Sequence, residues 1–124
     1  MKRGAVYLVS QGHPGYIGVA DDTRLVQAER TILRPVVLVS REAINRHSAV
    51  ILVCPLVDAG AIAQVYPSDV RVRAPEGGIT SDSVILTGQL RAVARTQLVR
   101  HLGELSAEVM HQIDMALRIT LDLG

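Results

Sequence analysis

Two uninterrupted aliphatic runs, Pro35-Val36-Val37-Leu38-Val39 and Ala49-Val50-Ile51-Leu52-Val53-Cys54, constrain this chain more than any other feature. Neither alternates, so neither suits a sheet with one face in water. Each is expected to be a strand buried on both faces. Between them Ser40 to His47 reads as a single helical turn capped by Ser40. Pro55 is expected to end the second strand, because it cannot donate to a ladder. Arg34 stands immediately before the fixed-φ proline that opens the first run.

The other elements follow from punctuation and period. Ala5 to Val9, after Gly4, reads as a first strand. From Gln11 to Leu33 the texture is broken by Gly12, Pro14, Gly15 and Gly18, and Asp21-Asp22 reads as a turn. Tyr16-Ile17-Gly18-Val19 and Thr23-Arg24-Leu25-Val26 either pair around it as a small hairpin or belong to a loop. Tyr66-Pro67-Ser68 turns into Asp69 to Arg73, whose alternation puts Val70 and Val72 inward and Arg71 and Arg73 outward. Pro75-Glu76-Gly77-Gly78 is a turn. Ser83 to Val93 is expected as one long strand with Gly88 a bulge or close approach. At the end, Ser106 caps a helix in which Val109, Ile113, Ala116, Leu117 and Thr120 recur at helical spacing, with Met110 and Leu121 widening the stripe. Strands followed by a terminal helix, without a repeating βαβ order, give an α+β fold with a mainly antiparallel sheet.

A chain of 124 residues is expected to form one domain, 1–124, around a single core. Phe and Trp are absent and the only rings are Tyr7, Tyr16 and Tyr66, so the core must be aliphatic. The same scarcity argues against the usual aromatic platform for unpaired bases. A net charge of +1 gives no overall pull on polyanions, so nucleic-acid binding needs arginines gathered on one face. Of the 13 basic residues all but Lys2 are arginine, which suits forked contacts to phosphate and equally suits a GC-rich genome. Cys54 is the single cysteine and lies in an apolar run, so it reads as core in a reducing compartment. No stretch reaches the ~20 apolar residues of a membrane helix, and no signal peptide follows Lys2 and Arg3; a cytoplasmic protein is expected. His47, His101 and His111 have no ligand-like spacing, so neither a metal nor a cofactor is expected.

Met1-Lys2-Arg3-Gly4-Ala5-Val6-Tyr7-Leu8-Val9 and the block Arg34-Pro35-Val36-Val37-Leu38-Val39-Ser40 together resemble the MazF/PemK/Kid family, toxins of bacterial toxin–antitoxin pairs that cleave RNA. Tyr66-Pro67-Ser68, Gly77-Gly78, Asp82-Ser83-Val84, Gln89-Leu90-Arg91, Leu102 to Ser106 and Asp114 to Leu117 continue the match in order and spacing. The resemblance implies a small SH3-like barrel of the CcdB/PemK type with a C-terminal helix. It also implies a homodimer, metal-free cleavage of single-stranded RNA, and a cognate antitoxin that lays an extended tail across the RNA groove.

Cleavage by the ribose 2′-hydroxyl needs a base, an acid, and donors for the charge growing on the phosphoryl oxygens. Arg34, at a catalytic position by this resemblance, can hold that charge with a planar fork, but never titrates usefully as a base. Glu29 matches a family glutamate and is chemically the better base. Read without the resemblance, Glu29 and Arg34 are a surface ion pair at the start of a strand. Val57 stands where the family pattern has a threonine, and a valine cannot donate to a phosphoryl oxygen. Asp58, beside it, is a candidate substrate contact whose carboxylate would repel phosphate. Gly88 replaces the usual acidic residue before Gln89. Gln89 and Arg91 remain at positions that touch RNA in relatives. Ser10, His13 and Thr31 border the enlarged connection and are the candidate replacement donors, although a histidine such as His13 in a Gly/Pro-rich loop is more often merely solvated. Three readings stay open: an endoribonuclease with a modified site, a non-cleaving member that keeps fold, dimer and antitoxin binding, and a CcdB-like poison of DNA gyrase.

Overall fold

A computed structural model describes residues 1–10 and 33–124. The hairpin expected around Asp21-Asp22, together with His13, Glu29 and Thr31, lies outside the described residues. The described chain runs β1 (Ala5–Ser10), β2 (Leu33–Leu38), α1 (Glu42–His47), β3 (Val50–Asp58), β4 (Asp69–Val72), β5 (Ser83–Leu86), β6 (Arg91–Ala94), β7 (Leu98–Glu104) and α2 (Ala107–Leu121). The strands form one sheet in the order β4-β5-β3-β2-β1-β7, with β6 also paired to β3, and every pairing is antiparallel. The expected α+β architecture with a C-terminal helix is what the chain adopts.

β3 organises the fold because its two halves take different partners along one flank. Its first half, Val50 to Val53, pairs with β6, and its last residues, Leu56 to Asp58, pair with β5. Pro55 therefore does not end this strand, contrary to the sequence expectation. It sits opposite Val36 of β2, in the interval where the other flank of β3 passes from β6 to β5. A missing N–H is tolerated where a ladder is interrupted.

Two cores explain why the first aliphatic run does not alternate; in the second run Val50 and Leu52 are exposed, contrary to the expectation of a strand buried on both faces. Val37, Val39, Cys54 and Leu56 face a cluster completed by Val70, Ile85, Val109 and Ile113, between the strands and α2. Val36, Leu38, Ile51 and Val53 face a second cluster with Ala5 and Val9. Val93 of β6 and Leu98 of β7 pack over that second cluster. The two strands are joined by a 3₁₀ turn, Arg95–Gln97. The Gln97 amide accepts from Ala94 N–H at 2.9 Å and donates to the Ser10 carbonyl at 3.1 Å, tying the closure to β1.

Several local expectations change. Ser40 does not cap α1: Arg41 holds that position, with no side-chain cap. Instead the buried Ser40 hydroxyl donates to Asn45 Oδ1 and accepts from Leu52 N–H at 3.1 Å, tying α1 to β3. Ser83 to Val93 is not one strand, because a 3₁₀ turn over Thr87–Gln89 separates β5 from β6 so that each pairs with a different half of β3. Gly88 lies in that turn and is no bulge. β7 was not expected at all, since Arg100 and His101 interrupt its apolar pattern. The terminal helix is as expected: Ser106 Oγ accepts from Val109 N–H at 3.2 Å, and Val109, Ile113 and Ala116 are buried. Leu121, however, is exposed and adds nothing to the packed stripe.

Cys54 is fully buried, as its apolar run implied. Burial pushes its thiol up to about 11, with the Arg3 charge acting weakly the other way. The thiolate is thus disfavoured only in the folded state, and this contribution to stability is present below pH 9 and lost between pH 9 and about 11. In neutral buffer a thiol reagent is expected to label Cys54 at least ~100-fold more slowly than in denaturant, with the rate following unfolding. Fast labelling of the native protein would show that the β2–β3 core opens readily.

Candidate active site

Arg34 occupies the second position of β2, directly across from Val9 of β1. Alternation puts it on the same face as Val36 and Leu38, whose side chains fill the second core. Those two valine and leucine positions are buried while Arg34 is exposed, so the row passes from core to solvent at this end of the strand. Among the described residues Arg34 takes part in no ion pair. It is carried on a strand whose later residues, Val36 to Leu38, are buried.

Val57 reaches the same end from the other side. The β2–β3 ladder has its last rung at Val36–Pro55, and Arg34 and Val57 each lie two residues beyond it. Opposed residues share a face and alternate residues return to it, so both side chains belong to the face of Val36 and Pro55. The half-buried valine offers no proton there. Ser10 does not supply one beside Arg34: it is paired with Leu33, one rung from Val9–Arg34, so its side chain leaves the opposite face. Asp58 is engaged locally. One carboxylate oxygen accepts from Gly60 N–H at 2.8 Å, and the other accepts from the Ser81 hydroxyl at 3.1 Å.

Gln89 and Arg91 flank the corner between β5 and β6, and both are exposed. Arg91 is opposite Val53, which is in turn opposite Leu38, so it shares the face of Arg34's row. Thr87, a residue that sequence reasoning passed over, fixes this corner. Fully buried, its Oγ1 donates to the Ser68 carbonyl at 2.5 Å and lies 2.7 Å from the Thr120 hydroxyl on α2. Only its place just before Gly88, inside an apolar run, could have marked it. The helix stripe that included Thr120 was read as apolar packing, whereas that residue's hydroxyl makes a polar contact. Among the described residues no three His, Cys, Asp or Glu side chains come together as a metal site would require. Nor is any described helix long and apolar enough to cross a membrane.

A small antiparallel sheet curled around two aliphatic cores, backed by a terminal helix and carrying arginines on one exposed face, defines the class. The chain belongs to the family of PemK-like, MazF-like toxins of type II toxin–antitoxin systems, whose model it matches over residues 2–121. It is 31% identical over 123 residues to the endoribonuclease EndoA of Bacillus subtilis (strain 168), covering 99% of this chain and 96% of that protein. Over 95 residues it is 36% identical to the endoribonuclease MazF9 of Mycobacterium tuberculosis, covering 73% and 79%. Among solved structures it superposes with a TM-score of 0.75, at 22% identity and over 100% of this chain and 97% of the other, on a mycobacterial endoribonuclease in complex with its cognate antitoxin. A MazE–MazF structure from Deinococcus radiodurans gives 0.69 at 20% identity, over 100% and 97%. These likenesses between structures establish the shared fold.

Proposed function

We propose that this protein is the toxin of a toxin–antitoxin pair and cleaves single-stranded RNA, working as a homodimer that a cognate antitoxin restrains. The observation that carries the reading is an exposed Arg34 on β2 in a chain whose relatives are endoribonucleases. In the reaction the ribose 2′-oxygen attacks the adjacent phosphorus as Glu29 accepts its proton. The bond from phosphorus to the 5′-oxygen breaks, that oxygen takes up a proton, and the products are a 2′,3′-cyclic phosphate and a 5′-hydroxyl. Arg34 donates two parallel N–H groups to the phosphoryl oxygens as their charge grows. Gln89 and Arg91 hold the strand, and Asp58 borders it with a carboxylate already committed to Gly60 and Ser81.

Val57 favours a second reading, a family member that keeps the fold and its partners but cleaves poorly. A single missing donor at a developing oxyanion typically lowers the rate by ~10²–10³-fold. A single-turnover assay on a long unstructured RNA separates the two. Val57→Thr, which restores a hydroxyl at nearly constant volume, is expected to raise the cleavage rate by about 10²-fold over the wild type. If the wild type is silent at high enzyme concentration and only the threonine variant cleaves, the second reading holds.

A further inference from the structure

We propose that Arg71 holds a phosphate of the bound RNA strand, one other than the phosphate that Arg34 meets; this rests on the RNA reading above. Arg71 is an exposed side chain of β4, and among the described residues it takes part in no ion pair.

Two rungs fix the face on which it stands. Arg71 is opposite Val84 of β5, and Val84 is opposite Val57 of β3. Opposed residues share a face, so Arg71, Val84 and Val57 form one row across three neighbouring strands. The adjacent row, Val70, Ile85 and Leu56, is buried in the first core, so the row of Arg71 points away from that core and from α2. Arg34 points away from it too: Val37 is the residue of β2 that enters the first core, while Val36 and Leu38, on the face of Arg34, fill the second. Arg71 thus stands two strand spacings from Val57, roughly 10 Å, on the flank of β3 away from β2. The valine at the candidate site therefore has a strand bearing an exposed arginine on either side, with the buried Val84 as the floor toward Arg71.

Nearby carboxylates leave Arg71 available. Asp69 shares its face, but Asp69 Oδ2 accepts from Tyr66 N–H at 2.8 Å. Asp58 is opposite Ser83, one rung from Val57–Val84, and so belongs to the other face. Arg73 is the weaker candidate, because the Asp82 carboxylate stands beside it, accepting from Ala74 N–H at 2.9 Å. A guanidinium meets a phosphodiester with a planar fork of donors. Such a contact sets the position of a strand without reading its bases. Held at Arg71, the strand is fixed in the register that brings its scissile linkage to Arg34.

The test uses the full chain and single-stranded oligoribonucleotides carrying 2′-O-methyl riboses, which cannot supply the nucleophile. Arg71→Ala is expected to weaken binding about 5-fold at about 0.1 M salt and to flatten the slope of log affinity against log salt by about 0.7, the share of one phosphate. Arg71→Lys keeps the charge and should keep the slope. Arg118→Ala, which removes an equal charge from the exposed side of α2, should change neither. Replacing linkages one at a time by uncharged methylphosphonates locates the contact. One linkage should cost the wild type as much as Arg71→Ala does and cost that variant nothing further. It should differ from the linkage that is silent in Arg34→Ala. Equal affinity and slope for Arg71→Ala and the wild type, an equal effect of Arg118→Ala, or one silent linkage shared by both arginine variants would overturn the inference. So would an Arg71→Ala variant that binds RNA as the wild type does but loses affinity for a polyglutamate peptide, which would assign this face to an acidic protein partner. If Arg34→Ala or Arg91→Ala weakens binding with a flatter slope while Arg71→Ala does not, the RNA reading stands and Arg71 has no part in it. If the wild type binds no RNA, both fall.

Discussion

Arg34→Ala is expected to lower single-turnover RNA cleavage by at least ~10²–10³-fold while leaving thermal stability within about 0.5 kcal/mol of the wild type. The two halves of that result come from the same geometry. The side chain is exposed and makes no ion pair among the described residues, so the fold loses little when it is cut back. The transition state loses a fork of donors to a doubly bonded phosphoryl group, which water cannot replace in a fixed position. Arg34→Lys should recover only part of the rate, because an ammonium keeps the charge but not the planar fork. A large drop in melting temperature with Arg34→Ala would instead mark the residue as structural.

The largest expected effect on stability lies far from the site, in the turn after β4. Gly78 has φ +80, and a Cβ there would stand 2.1 Å from the Leu102 carbonyl oxygen of β7. Gly103 answers from the other strand: its own Cβ would fall 2.8 Å from the Gly77 carbonyl carbon. Two backbones meet here with no side chain between them. Gly78→Ala must therefore either push β7 from β1 or flatten the turn, and it adds the left-handed penalty of about 1–2 kcal/mol. A total cost of about 3–5 kcal/mol is expected, lowering Tm by roughly 10–20 °C. Chemical denaturation of the single variant measures it. A loss under about 1 kcal/mol would mean that the turn relaxes freely and that β7 is not held by it.

The sequence made the buried elements legible and the corners much less so. Pro35–Val39 was recognisable as a strand buried on both faces, and the two clusters it separates account for that. Ala49–Cys54 was expected to be the same, but Ala49, Val50 and Leu52 are exposed, so an uninterrupted apolar run there does not mean burial on both faces. Val70 and Val72 alternate with Arg71 and Arg73 as a half-exposed strand should. Period alone could not show that β3 continues through Pro55, since the permission comes from a change of partner strand, a tertiary fact. Nor could it divide Ser83 to Val93, because an apolar run reads the same whether it pairs with one half of β3 or both. β7 escaped because a strand paired on one side, with β1 its one partner strand among the described residues, need not be apolar: Val99, Arg100 and His101 are all exposed.

At the site the balance is similar. Arg34 was singled out by the resemblance of its block to the MazF/PemK family; in the structure it is exposed at the end of a row whose later members, Val36 and Leu38, are buried. Its relation to Val57 needed the register of β2 on β3, which no local pattern encodes. Thr87 was invisible for the same reason: its partners, Ser68 and Thr120, come from either side of it in the chain and meet only after folding.

Product chemistry under single-turnover conditions is the most direct test of the claim that Arg34 supports attack by the ribose 2′-oxygen. Mass spectrometry of the fragments, with a chelator present, should find 2′,3′-cyclic phosphate and 5′-hydroxyl ends that vanish with Arg34→Ala. Fragments ending in 3′-hydroxyl and 5′-phosphate, or cyclic ends formed equally well by the alanine variant, would contradict it.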